Sequence, residues 1–227
     1  MATSVKSVQP TSPLLSSPDL DHRRILGLFS LASGILSIAL FLILGTPSSA
    51  ADQLAFYQGH QSVYDLAAVT ALVWGIVSVP FVVTLGTILR GKSRVLAQSA
   101  MVISLFGLLF YAFAVYLNIG ALMSINAEAS LAPTAGEPAF LAAILYNLTF
   151  LVSDPPLMVI GFAQILFGWL AWRSGVLPNW LAAIGVIGGV AGLLTLAVYQ
   201  TNYLAVIQIV SFALWGLTTG ALLLVKK

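Results

Sequence analysis

The sequence predicts an all-α polytopic membrane protein with six transmembrane helices and both termini cytoplasmic. Three observations predict it. The 227 residues are 59% hydrophobic and only 7% charged, against roughly 25% charged in soluble domains. Six apolar stretches follow one another, each about as long as or longer than the roughly 20 residues that a spanning helix needs. All nine basic residues fall at the ends of those stretches that share one side: Lys6, Arg23 and Arg24; Arg90, Lys92 and Arg94; Arg173; Lys226 and Lys227. The intervening connections on the other side carry no Lys or Arg, and this bias marks the cytoplasmic face.

Residues 1–22 are Ser- and Pro-rich and predict a disordered cytoplasmic tail, leaving residues 23–227 as one membrane domain. The apolar core begins only after Arg24, so the first span reads as a retained signal anchor. The alternative is a late-starting cleaved signal cut after Ala50. The first span covers residues 25–45 and ends at Gly45 and Pro47. The outer connection 46–64 includes a candidate interfacial helix at 52–57. The second span is 65–89, with Pro80 inside it predicting a kink. The five-residue turn from Arg90 to Arg94 makes the second and third spans an antiparallel hairpin.

The third span, 95–122, is longer than a bilayer requires and so tilts or protrudes; residues 123–138 form the outer connection. The region 139–172 is too long for one simple span. Ser153-Asp154-Pro155-Pro156 is a helix-start signal, a polar cap followed by proline at the first helical position. The fourth span therefore starts at Pro155, with 139–152 as an interfacial or re-entrant segment. One continuous helix kinked at the proline pair is the alternative. A seventh crossing at 139–152 would reverse the basic pattern. The fifth span is 180–199, where Gly185, Gly188, Gly189 and Gly192 are spaced for close helix packing. The sixth, 203–225, repeats the device at Gly216 and Gly220. No inverted repeat relates the two halves.

The ionisable inventory excludes several chemistries. Zero cysteines rule out disulfides, thiolate metal sites and Cys nucleophiles. No Lys lies within a span, which removes a retinal Schiff base. The only histidines are His22 and His60, so haem ligation within the membrane is disfavoured. No HExxH, phosphate-binding loop or GxSxG elbow occurs. The scattered basic residues form no nucleic-acid patch. No cofactor and no metal is expected.

What remains is an acidic, aromatic outer rim. Asp65, Asp154 and Glu128, with His60, Tyr116 and Asn118 at similar depth, make a candidate outward-facing pocket for a cation or small molecule. Glu137, Tyr57 and Tyr64 share the rim. The competing reading is structural: tyrosines line membrane interfaces, and Asp65 and Asp154 cap the second and fourth spans. Within the spans, Gln164 and Gln208 are costly in lipid unless hydrogen-bonded, which predicts a pair across spans four and six.

These readings favour a non-enzymatic integral membrane protein, an auxiliary or structural subunit of a membrane assembly. Its partners would be the lipid bilayer and a membrane protein or further copies of itself. A small-molecule or ion transporter with the outer acidic pocket is the alternative, and a membrane enzyme using outer carboxylates and His60 the third.

The stretch Gly168-Trp169-Leu170-Ala171-Trp172-Arg173-Ser174-Gly175-Val176-Leu177-Pro178-Asn179-Trp180-Leu181 resembles the G-x-x-x-x-R-S-G-x-L-P-x-x-L turn of an uncharacterised bacterial six-helix membrane family, of the domain-of-unknown-function kind. The resemblance implies a multi-pass protein of the bacterial inner membrane and carries no catalytic residue across. The turn is also sensible physically: Arg173 anchors a cytoplasmic helix end, Gly175 ends the helix and Pro178 begins the next.

Overall fold

The computed structural model describes residues 20–44, 57–131, 137–195, 197 and 202–225. Six helices account for nearly all of them: α1 Leu20–Leu44, α2 Gln61–Leu89, α3 Arg94–Leu131, α4 Glu137–Ser174, α5 Asn179–Leu194 and α6 Asn202–Val225. A helical turn at 57–59 precedes α2. Five of the six helices contain a stretch long and apolar enough to cross a membrane; α5, at 16 residues, is shorter. Each helix packs on the next, and α6 returns to pack on α1. The result is a closed ring, bridged across its middle where α4 meets both α2 and α6.

Two seams hold the ring through backbone approach. At α1–α6, a Cβ added to Gly34 would stand 2.8 Å from the Ala213 carbonyl, and one on Gly220 would stand 2.7 Å from the Gly27 carbonyl. At α4–α5, a Cβ on Gly189 would meet the Gly161 carbonyl at 2.5 Å. Only glycine lets the helices come this close, which bears out the predicted packing role of Gly189 and Gly220 and adds Gly34 to it. Arg23 adds a clasp. Only 4% exposed, its Nε and Nη2 donate to the Leu223 carbonyl at 3.3 and 3.1 Å, satisfying an orphan acceptor in the last turn of α6. Hydroxyls along the helices bond back one turn, Ser30 to Leu26 at 2.8 Å and Thr84 to Pro80 at 2.7 Å, so they need no partner in lipid.

The turns follow local chemistry. Ser93 caps α3, its Oγ accepting from the Leu96 N–H at 3.3 Å. Gly175 stands just past α4 at φ +62°, a left-handed conformation that costs a residue with a Cβ, and its N–H donates to the Ala171 carbonyl at 3.1 Å. Pro178 then takes the cap position of α5. At that turn the Arg173 guanidinium lies 5.0 Å over the Trp169 ring, and Trp169, Trp172 and Trp180 are exposed, as in an interfacial aromatic belt.

Three expectations are corrected. First, α4 is one helix through Pro155 and Pro156, not a span starting at Pro155 with 139–152 set apart. A break there would free up to four N–H and four C=O groups near lipid, whereas continuing forfeits only the two bonds that the prolines cannot donate. The proline turn is also held from outside: a Cβ on Gly107 of α3 would meet the Pro156 carbonyl and the Ile160 N–H at 3.1 Å each. Second, α3 runs on to Leu131 beyond the predicted end at 122. Residues 123–131 contain no Gly or Pro to stop it. Third, α2 begins at Gln61 with His60 at the cap, so Asp65 stands inside the helix and caps nothing; Asp154, inside α4, caps nothing either. Pro80 likewise lies within an unbroken α2. Predicted features at 1–19, 52–56 and 198–201 lie outside the described residues.

Candidate functional site

Of the five predicted outer-pocket residues whose side chains are described, only Asp154 is buried, at 6% exposure. Asp65, His60 and Tyr116 are exposed and Asn118 is half-buried; the Glu128 side chain lies outside the described residues. Tyr116 belongs to an exposed apolar stripe on α3 with Phe106, Phe110, Phe113 and Leu117, the spacing of a lipid-facing helix surface. His60 works through its backbone, its carbonyl accepting from the Val63 and Tyr64 N–H groups at 3.0 and 3.3 Å. Asp65 instead lies near Tyr57, which packs edge-on against Tyr64 at 5.1 Å between ring centroids. Burial pushes the Tyr57 phenol above its ordinary pKa, and the Asp65 carboxylate adds to that push. The predicted pocket therefore divides into an exposed rim around Asp65 and a buried group around Asp154.

The buried group lies on the inner walls of α1 to α4. Nineteen residues separate Asp154 from Arg173, about 28 Å of helix, which is close to the about 30 Å thickness of a hydrocarbon core. Asp154 has Ser153 beside its carboxyl and is within electrostatic reach of the Tyr111 hydroxyl on α3. Tyr111 meets Trp74 of α2 edge-on at 5.9 Å. Trp74 Nε1 donates to Ser37 Oγ at 2.7 Å, and that hydroxyl donates to the Ser33 carbonyl at 2.8 Å. One turn deeper, the Ser33 and Ser78 hydroxyls bond at 2.7 Å. The ring interior is otherwise filled by rings: Trp74 and Phe81 each pack edge-on against Phe212 of α6, at 6.0 and 5.2 Å. The hydrogen-bonded serines link α1 to α2, and aromatic contacts link α2 to α3 and α6.

The expected pair of Gln164 and Gln208 does not form. Gln208 Nε2 donates to the Leu157 carbonyl at 2.6 Å, and neither side-chain atom of Gln164 has a hydrogen-bond partner. No motif in the sequence links Ser33, Ser37 and Ser78 with Trp74. The available signal was an indole N–H placed well inside a span, where a buried donor requires an acceptor. Among the described residues no cluster of His, Cys, Asp and Glu could hold a metal.

Residues 25–226 match the model of a family described as a domain of unknown function, DUF4386. No curated protein and no solved structure matches the chain.

Proposed function

We propose for this chain, which belongs to the DUF4386 family of unknown function, a non-enzymatic role as a docking subunit of a membrane assembly. In this reading it crosses a bacterial inner membrane six times and keeps both termini cytoplasmic. The clasp of Arg23 on Leu223 supports the even count, because it holds the start of α1 against the end of α6. Five crossings would put those ends on opposite faces, so α5 supplies the sixth.

The observation that carries the docking role is the outer half of α4. Thirty-three residues separate Phe140 from Arg173, about 50 Å of helix against a core of about 30 Å. With Arg173 at the inner interface, Phe140 stands about 20 Å beyond the hydrocarbon. Yet Phe140 is 66% exposed, and Leu141, Ile144, Leu148 and Leu151 are exposed with it. A contiguous apolar face in that position favours a protein partner. The test is gentle extraction and sizing of the wild type beside Phe140→Lys/Leu148→Lys. A larger species in the wild type that is lost in the variant supports the role. A wild type that is monomeric and without partner in both preparations removes it.

The burial of Asp154 beside Tyr111 favours a second reading, transport of a cation or small molecule past the outer end of the ring. An ionisable group within a membrane helix is a functional candidate by default. Uptake in proteoliposomes that is unchanged in Asp154→Asn would end this reading.

A further inference from the structure

We infer that Gln164, Gln208 and Ser211 form an internal binding site for a small neutral solute that both donates and accepts hydrogen bonds. Gln164 on α4 is 6% exposed and Gln208 on α6 is 1% exposed. Gln164 Oε1, Gln164 Nε2 and Gln208 Oε1 are all without a protein partner. These atoms offer two N–H donors and two carbonyl acceptors in a region where unpaired polar groups are strongly disfavoured.

The α5 face between them is shaped for the three polar side chains. The Cβ position of Gly188 is occupied by Ser211, with Gln164 Oε1 3.7 Å away. One turn on, the Cβ position of Gly192 lies 2.5 Å from Gln208 Nε2 and 2.6 Å from its Oε1. The two glycines thus bring amides from α4 and α6, with the Ser211 hydroxyl, onto one strip of α5. An alanine at either position would push a methyl into the polar groups. This is the arrangement expected where side chains must reach a common guest rather than each other.

Size and charge define that guest. The Cβ positions of Gly188 and Gly192 are filled by Ser211 and Gln208, so the guest we propose is small, water or a molecule such as acetamide. No Lys, Arg, Asp or Glu lies on α5, or on α6 as far as Val225, and on α4 Asp154 and Arg173 stand ten and nine residues from Gln164. Nothing there would hold an ion, so the guest is neutral. A primary amide edge, with one donor and one acceptor side by side, pairs with a carboxamide through two parallel bonds or with water through single ones.

The experiment uses the full chain in detergent or nanodiscs, with acetamide as the probe, and reads thermal unfolding of the wild type and Gln164→Met. Methionine keeps the length and removes the polar atoms. A guest bonded to Gln164 predicts a Tm drop of about 3 °C or more in the variant. An unchanged or raised Tm overturns the proposal, because removing an orphaned amide is neutral or stabilising. If the variant does not fold, an experimental density map of the wild type decides. Density within hydrogen-bond distance of Gln164 upholds the site, and a Gln164 amide bonded only to protein atoms overturns it. The source is read from the same samples: acetamide raising the wild-type Tm but not that of Gln164→Met identifies an organic amide, whereas single-atom density without an acetamide effect identifies water.

Discussion

The glycines of α5 and Gly120 of α3 are the same residue in the same secondary structure, and they do opposite things. Where α5 meets α4 and α6, the Cβ positions of Gly185, Gly188, Gly189 and Gly192 are taken by a ring, a hydroxyl, a carbonyl and an amide. At Gly120 no atom of the described residues lies within 4 Å of the Cβ position. The first set encodes a closed wall. The second belongs to a hairpin whose outer half carries exposed apolar residues, Phe140, Leu141, Ile144 and Leu148 among them. The contrast separates a wall whose glycines are filled by neighbouring helices from a hairpin that exposes apolar residues.

The largest expected effect breaks the closed side. Gly189→Ala drives a methyl to within 2.5 Å of the Gly161 carbonyl. Since that obstacle is backbone, the helices must separate, and overpacking of this kind costs about 1 to 3 kcal/mol. We expect the upper end, a Tm loss on the order of 6 °C or more at this chain length. A loss below 1 °C would show that the α4–α5 seam does not set the spacing of the ring.

Next is the clasp that returns α6 to α1. Arg23→Ala removes both donors from the Leu223 carbonyl; hydrogen bonds to charged groups contribute about 1.5 to 3 kcal/mol. Thermal unfolding should report that loss, while Arg24→Ala, an exposed neighbour, should change stability by less than about 0.5 kcal/mol. Equal effects of the two substitutions would mean that Arg23 acts as a general positive charge and not as a clasp. Trp74→Phe is smaller again. It keeps the ring but loses the bond to Ser37, for about 1 kcal/mol, and it should shift the Tm less in a Ser37→Ala background, where the acceptor is already gone. Full additivity of the two would argue against that bond.

How much of this was legible in the sequence follows the same division. Helix order, the packing glycines, the Gly175-Pro178 turn and the membrane character were readable because each depends on local chemistry or on composition. The α3–α4 hairpin was misread at both arms. Asp154-Pro155-Pro156 carries the same letters whether it starts a helix or sits inside one. What decides is the cost of opening the helix near lipid and the support from Gly107, a contact 49 residues away in sequence. Asp65 and Asp154 looked equivalent by type and depth. They differ because one faces outward from α2 and the other inward from α4, and a near-uniformly apolar helix gives no moment from which to read its rotation. The Gln164–Gln208 pairing failed for a related reason: the sequence gives depth along each helix but not azimuth around it.

The smallest prediction tests the α3–α4 hairpin. Gly120 lies 26 residues beyond Arg94 on α3, about 39 Å along the helix and so past the hydrocarbon when Arg94 marks the inner interface. No atom of the described residues lies within 4 Å of its Cβ position, and glycine inside a helix is about 0.8 to 1 kcal/mol less favourable than alanine. Gly120→Ala should therefore raise the Tm of the isolated protein, by about 2 °C, the reverse in sign of the same substitution at Gly189. In native membranes the substitution has a second reading. If the larger species recovered from wild-type membranes persists in Gly120→Ala, the partner sits on α4 and its contact does not depend on Gly120. If it is lost while the isolated protein is stabilised, Gly120 is a point of close approach, and the open face takes in α3 as well. A destabilised isolated protein would contradict this expectation, because no atom of the described residues lies within 4 Å of where the methyl would go.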